Sequence, residues 1–251
     1  MGMEKKSHFN GKGVIAHLLE ARKKGERATH EEHGIEAPGH IIGGADAAKE
    51  TAVITLLVWI ICDALRISYD QIYILIGLIM FGIFLWKTGR SASLAWSRLE
   101  RVNKLIEDER YEIENNREEE KEELTEMYRA KGFSGQLLER VIDVLMADDN
   151  KLLGVMLEEE LGVSLESYEH PLKQALGTGI GILLAACALS IGIAISEPYG
   201  LFVATYIVVL IASYVMSRIQ KIEAINLTIW NLSITFLASF GTYFLAKFTL
   251  H

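Results

Sequence analysis

The sequence predicts an all-α membrane protein: five transmembrane helices, with a charged three-helix domain inserted between the second and the third. Three observations predict it. The 251 residues are 50% hydrophobic and yet 23% charged, which is reconciled only if the two classes are segregated. They are: apolar runs fill about 41–86 and 172–248, while charge fills 1–36 and 87–170. A helix needs about 20 apolar residues to cross a bilayer, and the two runs hold enough for two and three crossings. The net charge of −8 argues against a nucleic-acid partner and for cations.

Residues 1–40 are polar and mixed in charge. The opening MGMEKKSHFNGKG lacks the apolar core of a secretory signal, so the first apolar segment is expected to stay in the mature chain. Val14, Ile15, Leu18 and Leu19 recur at helical spacing beside Arg22, Lys23 and Lys24, which predicts a short amphipathic helix at the membrane surface. The lead THEEHGIEAPGH follows, with His30, Glu31, Glu32, His33, Glu36 and His40 close together. Of these, His30, Glu31, His33, Glu36 and His40 form a candidate accessory site, because imidazole with carboxylate suits a divalent metal. The same composition equally describes a solvated loop.

The first span is expected from about Ile41 to Leu65, with Asp46 and Glu50 one turn apart on one face. An aspartate at the centre of a span costs about 2.5–3.5 kcal/mol, so carboxylates there usually line a pathway. The second span, about Ile72 to Trp86, carries Met80, a thioether able to touch a soft metal but more often packing filler. Asp46, Glu50 and Met80 are therefore the candidate pathway residues. Cys62 and Cys187 both lie in apolar runs and read as reduced packing residues.

Leu94, Leu99, Val102, Leu105 and Ile106 continue the second helix out of the bilayer into an acidic stretch. There Glu109 and Glu112 stand one turn apart, as do Glu120 and Glu123, and such pairs make a multidentate oxygen surface for a divalent cation. A charge run is usually a solvated face, but Arg117, Lys121 and Arg129 are too few to pair all the acids. Gly132 and Gly135 break the helix; a second follows to about Met146, and a third covers Leu152 to Leu161 with an apolar and an acidic stripe. Pro171 opens the last block, with spans at about 172–195, 201–216 and 225–248. Lys and Arg concentrate on one side of these five spans, which places the N-terminus and the insert in the cytoplasm and the C-terminus on the opposite side.

The stretch EEEKEELTEMYRAKGFSGQLLERVIDVLMADDNKLLGVMLEEELGV, followed by HPLKQAL, resembles the vacuolar iron transporter family, and the resemblance extends over about residues 40 to 248. It implies a homodimer in a bacterial inner membrane or a vacuole-type membrane, exporting Fe2+ from the cytoplasm in exchange for protons, with Mn2+ or Zn2+ as further cargo. It also implies that the insert binds metal through Glu109, Glu112, Glu120 and Glu123 of its first helix and Met156 and Glu160 of its third, with Asp46 at the pore. The chain departs from the family where relatives carry a methionine at the end of the second span: LWKTGRSAS puts Trp86 there, and Arg90 is a further departure. That departure keeps a second reading open, a membrane metal buffer or sensor that does not transport. A di-iron oxidoreductase is disfavoured, because such sites use paired Glu-x-x-His motifs and this chain has none. The protein is thus expected not to be an enzyme.

Overall fold

The computed structural model describes residues 14–29, 39–163 and 169–250, and among these every regular element is an α-helix. In chain order they are α1 (Val14–Thr29), α2 (Gly39–Ala64), α3 (Tyr69–Asn115), α4 (Arg117–Ala130), α5 (Gly135–Met146), α6 (Asp149–Glu159), α7 (Pro171–Ile195), α8 (Tyr199–Gln220) and α9 (Ala224–Leu250). The chain forms two compact units. One comprises α1 and the chain from Ser97 to the end of α6; the other comprises α2, α3 up to Trp96, and α7 to α9. The continuation of the second apolar run into the acidic stretch is borne out: α3 is a single helix of 47 residues.

In the apolar unit, α2 packs against α7, α8 and α9. Leu56, Trp59, Ile60, Ile72, Leu189 and Leu201 form the centre of its core. Close packing of α2 on α7 depends on absent side chains. A Cβ on Gly177 would run into the backbone carbonyl of His40, and one on Gly181 into that of Gly44. This is the small-residue contact that lets helices approach where no water drives them together. Large apolar side chains point outward instead, among them Leu78, Phe81, Leu184, Leu237 and Phe244. An apolar surface this extensive is covered by lipid in a membrane protein.

Four of the described helices are long and apolar enough to cross a membrane: α3, α7, α8 and α9. The expected first span is not among them, since Asp46, Lys49, Glu50 and Asp63 leave at least three charged residues in every 18-residue stretch of α2. Its burial explains how a helix with those charges persists: Ala52, Thr51 and Leu56 are fully enclosed, and the Thr51 and Thr55 hydroxyls donate to the carbonyls one turn back, each at 2.7 Å.

In the charged unit, α4, α5 and α6 gather with the end of α3 and with α1 around Val102, Ile113, Leu124, Ile142, Leu152, Met156 and Leu157. The acidic stretch is not one helix. Asn116 leaves helical geometry at φ −127° and ψ 33° and separates α3 from α4, so Glu109 and Glu112 sit on one helix and Glu120 and Glu123 on the next. Asparagine favours such breaks because its short amide competes for backbone hydrogen bonds. At the far end of α4, Gly132 takes φ +96°, the left-handed region where a glycine ends a helix without strain. Asp148 caps α6, its carboxylate accepting from the Asn150 and Lys151 amides at 3.0 and 3.2 Å. A helix is present over the stretch expected to lie at the membrane surface, and one face of it is turned into this core: Ala21 is buried there and Leu18 packs against it, while Ile15 and Leu19 face outward.

Candidate metal-binding site

On α4 the buried positions are Glu120, Glu123, Leu124 and Met127, the i, i+3, i+4, i+7 stripe that faces a core. Two of those four positions hold carboxylates where an ordinary amphipathic helix would hold leucines. Glu109 near the end of α3 and Glu160 just after α6 are also enclosed, at 4% exposure each, against 1% for Glu120 and 0% for Glu123. Burying one ionised carboxylate is costly, and burying four around one space is more so unless a cation or protons neutralise them.

The carboxylates converge in two groups. Ligand atoms of Glu109, Glu120 and Glu160 lie within 4.8 Å of one another, and so do those of His17, Glu123 and Glu160. Glu160 belongs to both. His17 comes from α1, its Nε2 3.7 Å from Glu123 Oε1 and 3.8 Å from Glu160 Oε1. Both Glu120 oxygens are buried with no hydrogen-bond partner among the described residues. A cleft of about 130 Å³ reaches the cluster, lined by His17, Asp108, Glu109, Tyr111, Glu112 and Glu160 among others. Half-buried Glu112 thus borders the site rather than joining either group.

The electrostatics follow from the burial. Loss of solvation, then the charges of Glu109 and Glu123, push the Glu120 carboxyl up to about 9. Glu160 is raised by burial first and by Glu109 and Glu123 next. Glu123 is raised by burial and by Glu109 and Glu112, with a hydrogen bond to Glu160 opposing. Without a cation these groups hold protons near neutral pH; a divalent ion can displace the protons and neutralise the charge together. Several oxygens with one imidazole nitrogen form a donor set suited to a hard or borderline divalent metal.

Of the sequence-predicted residues, Glu109, Glu120, Glu123 and Glu160 are brought together here. Met156 is fully buried one turn before Glu160, whose amide donates to its carbonyl at 2.9 Å, and it packs in the core with Leu152 and Leu157. Asp46 and Glu50 sit on α2 of the apolar unit, each with a cation: Lys49 stands 3.2 Å from Asp46, and Lys87 pairs with Glu50. Met80 is half-buried against the apolar core. His30, Glu31, His33 and Glu36 lie outside the described residues. His40 opens α2 and is joined to Glu169 instead: its Nδ1 lies 2.6 Å from one carboxylate oxygen, and its amide donates to the other at 2.9 Å. Burial raises the Glu169 carboxyl, but these bonds and one from Lys173 outweigh it and hold the group below its usual range.

His17 is the residue that sequence reading missed. Its signal was the register of α1: residues 17, 18 and 21 share the buried face, so the histidine rides on an apolar anchor.

The sequence matches the profile of the VIT family over residues 94–247, which takes in the charged insert and the last three helices. No curated protein matches it. Asp46, Glu50 and Met80 precede the matched region. With most of its length matched and apolar helices able to cross a bilayer, the chain is a multi-pass membrane protein of the VIT family, the vacuolar iron transporters, a family that moves metal ions.

Proposed function

We propose that this protein exports divalent iron from the cytoplasm in exchange for protons, with Mn2+ and Zn2+ as alternative cargo. The observation that carries the reading is the enclosed carboxylate cluster of Glu109, Glu120, Glu123 and Glu160 in a chain of this family. The cluster supports capture: ionised, it takes a divalent cation; protonated, it releases one. In this reading α2 is the fifth crossing, tolerated because α7, α8 and α9 surround it, and Asp46 and Glu50 serve the membrane passage. The N-terminus and the charged unit face the cytoplasm, and two copies form the working unit.

Transport of Fe2+ into sealed vesicles holding the purified protein, with and without a pH gradient, tests the reading. Uptake that grows with an acid interior and falls at least about tenfold in Asp46→Asn supports it, the factor being that of roughly 1.4 kcal/mol in the barrier. Tight Fe2+ binding with no uptake in any gradient would leave the buffer or sensor reading in its place.

A further inference from the structure

The carboxylate cluster is bordered by α1, and that helix brings a different kind of donor. His17 has a side chain only 14% exposed, and its Nε2 faces one carboxylate from α4 and one from just after α6, at 3.7 and 3.8 Å. Both separations exceed a good hydrogen bond. The first is at the limit, and the second just beyond it, of what two ligands of one ion require: donors about 2.1 Å from a metal are roughly 3.0–3.7 Å apart over the usual coordination angles, so a bound ion would draw them together by about a tenth of an ångström. A second observation points to a cation at the same place. Glu120, buried to 1% exposure with both oxygens lacking a hydrogen-bond partner among the described residues, shares Glu160 with the His17 group. The position of His17 is fixed by packing, since Ala21 and Leu18 on the same face of α1 are seated in the core formed by α4 and α6.

We propose that His17 is a metal ligand, and that α1 supplies it as a selectivity element of the site. The inference rests on the metal-binding reading above and specifies its chemistry. An all-oxygen cluster serves Mg2+ and Ca2+ as readily as transition metals, whereas an imidazole nitrogen adds affinity for Fe2+, Co2+ and Zn2+. Mg2+ is abundant in any cytoplasm, so a cation exporter with an all-carboxylate mouth would be filled by the wrong ion. One nitrogen donor shifts that balance without a sulfur ligand or a second histidine.

The test uses the full chain in detergent, with Co2+ as a spectroscopic probe and Mg2+ as the hard-ion control. The wild-type protein is expected to bind Co2+ with visible d–d bands. His17→Ala should weaken Co2+ binding by about 10–100-fold, the range seen when a metal site loses an ordered partner, and shift those bands, while Mg2+ affinity changes less than about threefold. His17→Gln, close in length, is measured beside it; the same loss there, with helix content intact, shows that nitrogen coordination and not packing is at stake. Unchanged Co2+ affinity and spectrum in both variants would overturn the assignment while leaving the carboxylate site standing. An equal loss of Co2+ and Mg2+ in both variants would overturn the selectivity role. Failure of the wild-type protein to bind either ion would remove the metal-site reading together with this inference.

Discussion

The carboxylates of the apolar unit and those of the charged unit solve the same problem in opposite ways. Asp46 and Glu50 stand on a helix expected to cross the membrane, and each has an ammonium of its own, from Lys49 and Lys87. Glu120 is more deeply enclosed and has no hydrogen-bond partner among the described residues, with Glu109, Glu123 and Glu160 crowding the same space. A carboxylate paired with an ammonium keeps its charge among apolar neighbours; a carboxylate crowded by its own kind is held there only with a cation or a proton to neutralise it.

The strongest way to break this contrast is to neutralise the cluster. Glu120→Gln with Glu160→Gln should lower affinity for Fe2+ or Co2+ by at least about a hundredfold, read by calorimetry, because one group loses two ligands and the other loses the carboxylate they share. If that double variant binds as well as the wild type, the contrast is wrong.

The next largest effect is on pH dependence. Glu120 is raised from 4.5 to about 9 in the folded chain, and Glu123 and Glu160 are raised with it. Between those pH values these groups hold more protons in the folded chain than in the unfolded one, so the metal-free stability they contribute is fully present below about pH 4.5 and is lost as pH rises toward 9. Thermal unfolding of metal-free protein at several pH values should show a midpoint that drops with rising pH. Added Mn2+ should restore it most at the alkaline end, where the ionised carboxylates are free to bind.

A smaller effect is expected in the apolar unit. Lys87→Met leaves Glu50 without its cation and should cost about 1 kcal/mol, most of it recovered when Glu50→Gln is added, as read from unfolding midpoints in detergent. The smallest belongs to the exposed Lys131–Glu159 pair, where Lys131→Ala should cost no more than about 0.5 kcal/mol and leave metal affinity unchanged.

The helices were legible in the sequence because their apolar periods and their glycine and proline stops agree: α5, α6 and the last three helices fall where the pattern puts them. So was the passage of the second apolar run into the acidic stretch, since Leu99, Val102 and Ile106 keep the helical period across the change of polarity. The break at Asn116 was not, because a single asparagine in a run of glutamates carries little signal against their strong helical preference. Nor was the burial of four glutamates. Composition shows the charge of Glu109, Glu120, Glu123 and Glu160, but only the fold shows that they point inward while Glu118 and Glu122 point out. His17 carried only the register of α1 as a signal, because the two carboxylates it faces, Glu123 and Glu160, lie far from it in sequence.

Glu160 is common to both groups of ligand atoms, and this has an arithmetical consequence. A carboxylate has two oxygens and a single negative charge, so two ions placed in the two groups would draw on the same charge. The second arrival meets a neighbour already positive and a ligand already half used. Binding curves for such a pair would not be the sum of two independent isotherms: the first ion would be held firmly and the second loosely. Loading past a first equivalent would then leave the second ion loosely held, and a titration of the full chain with Mn2+ would show it as a second, weaker step.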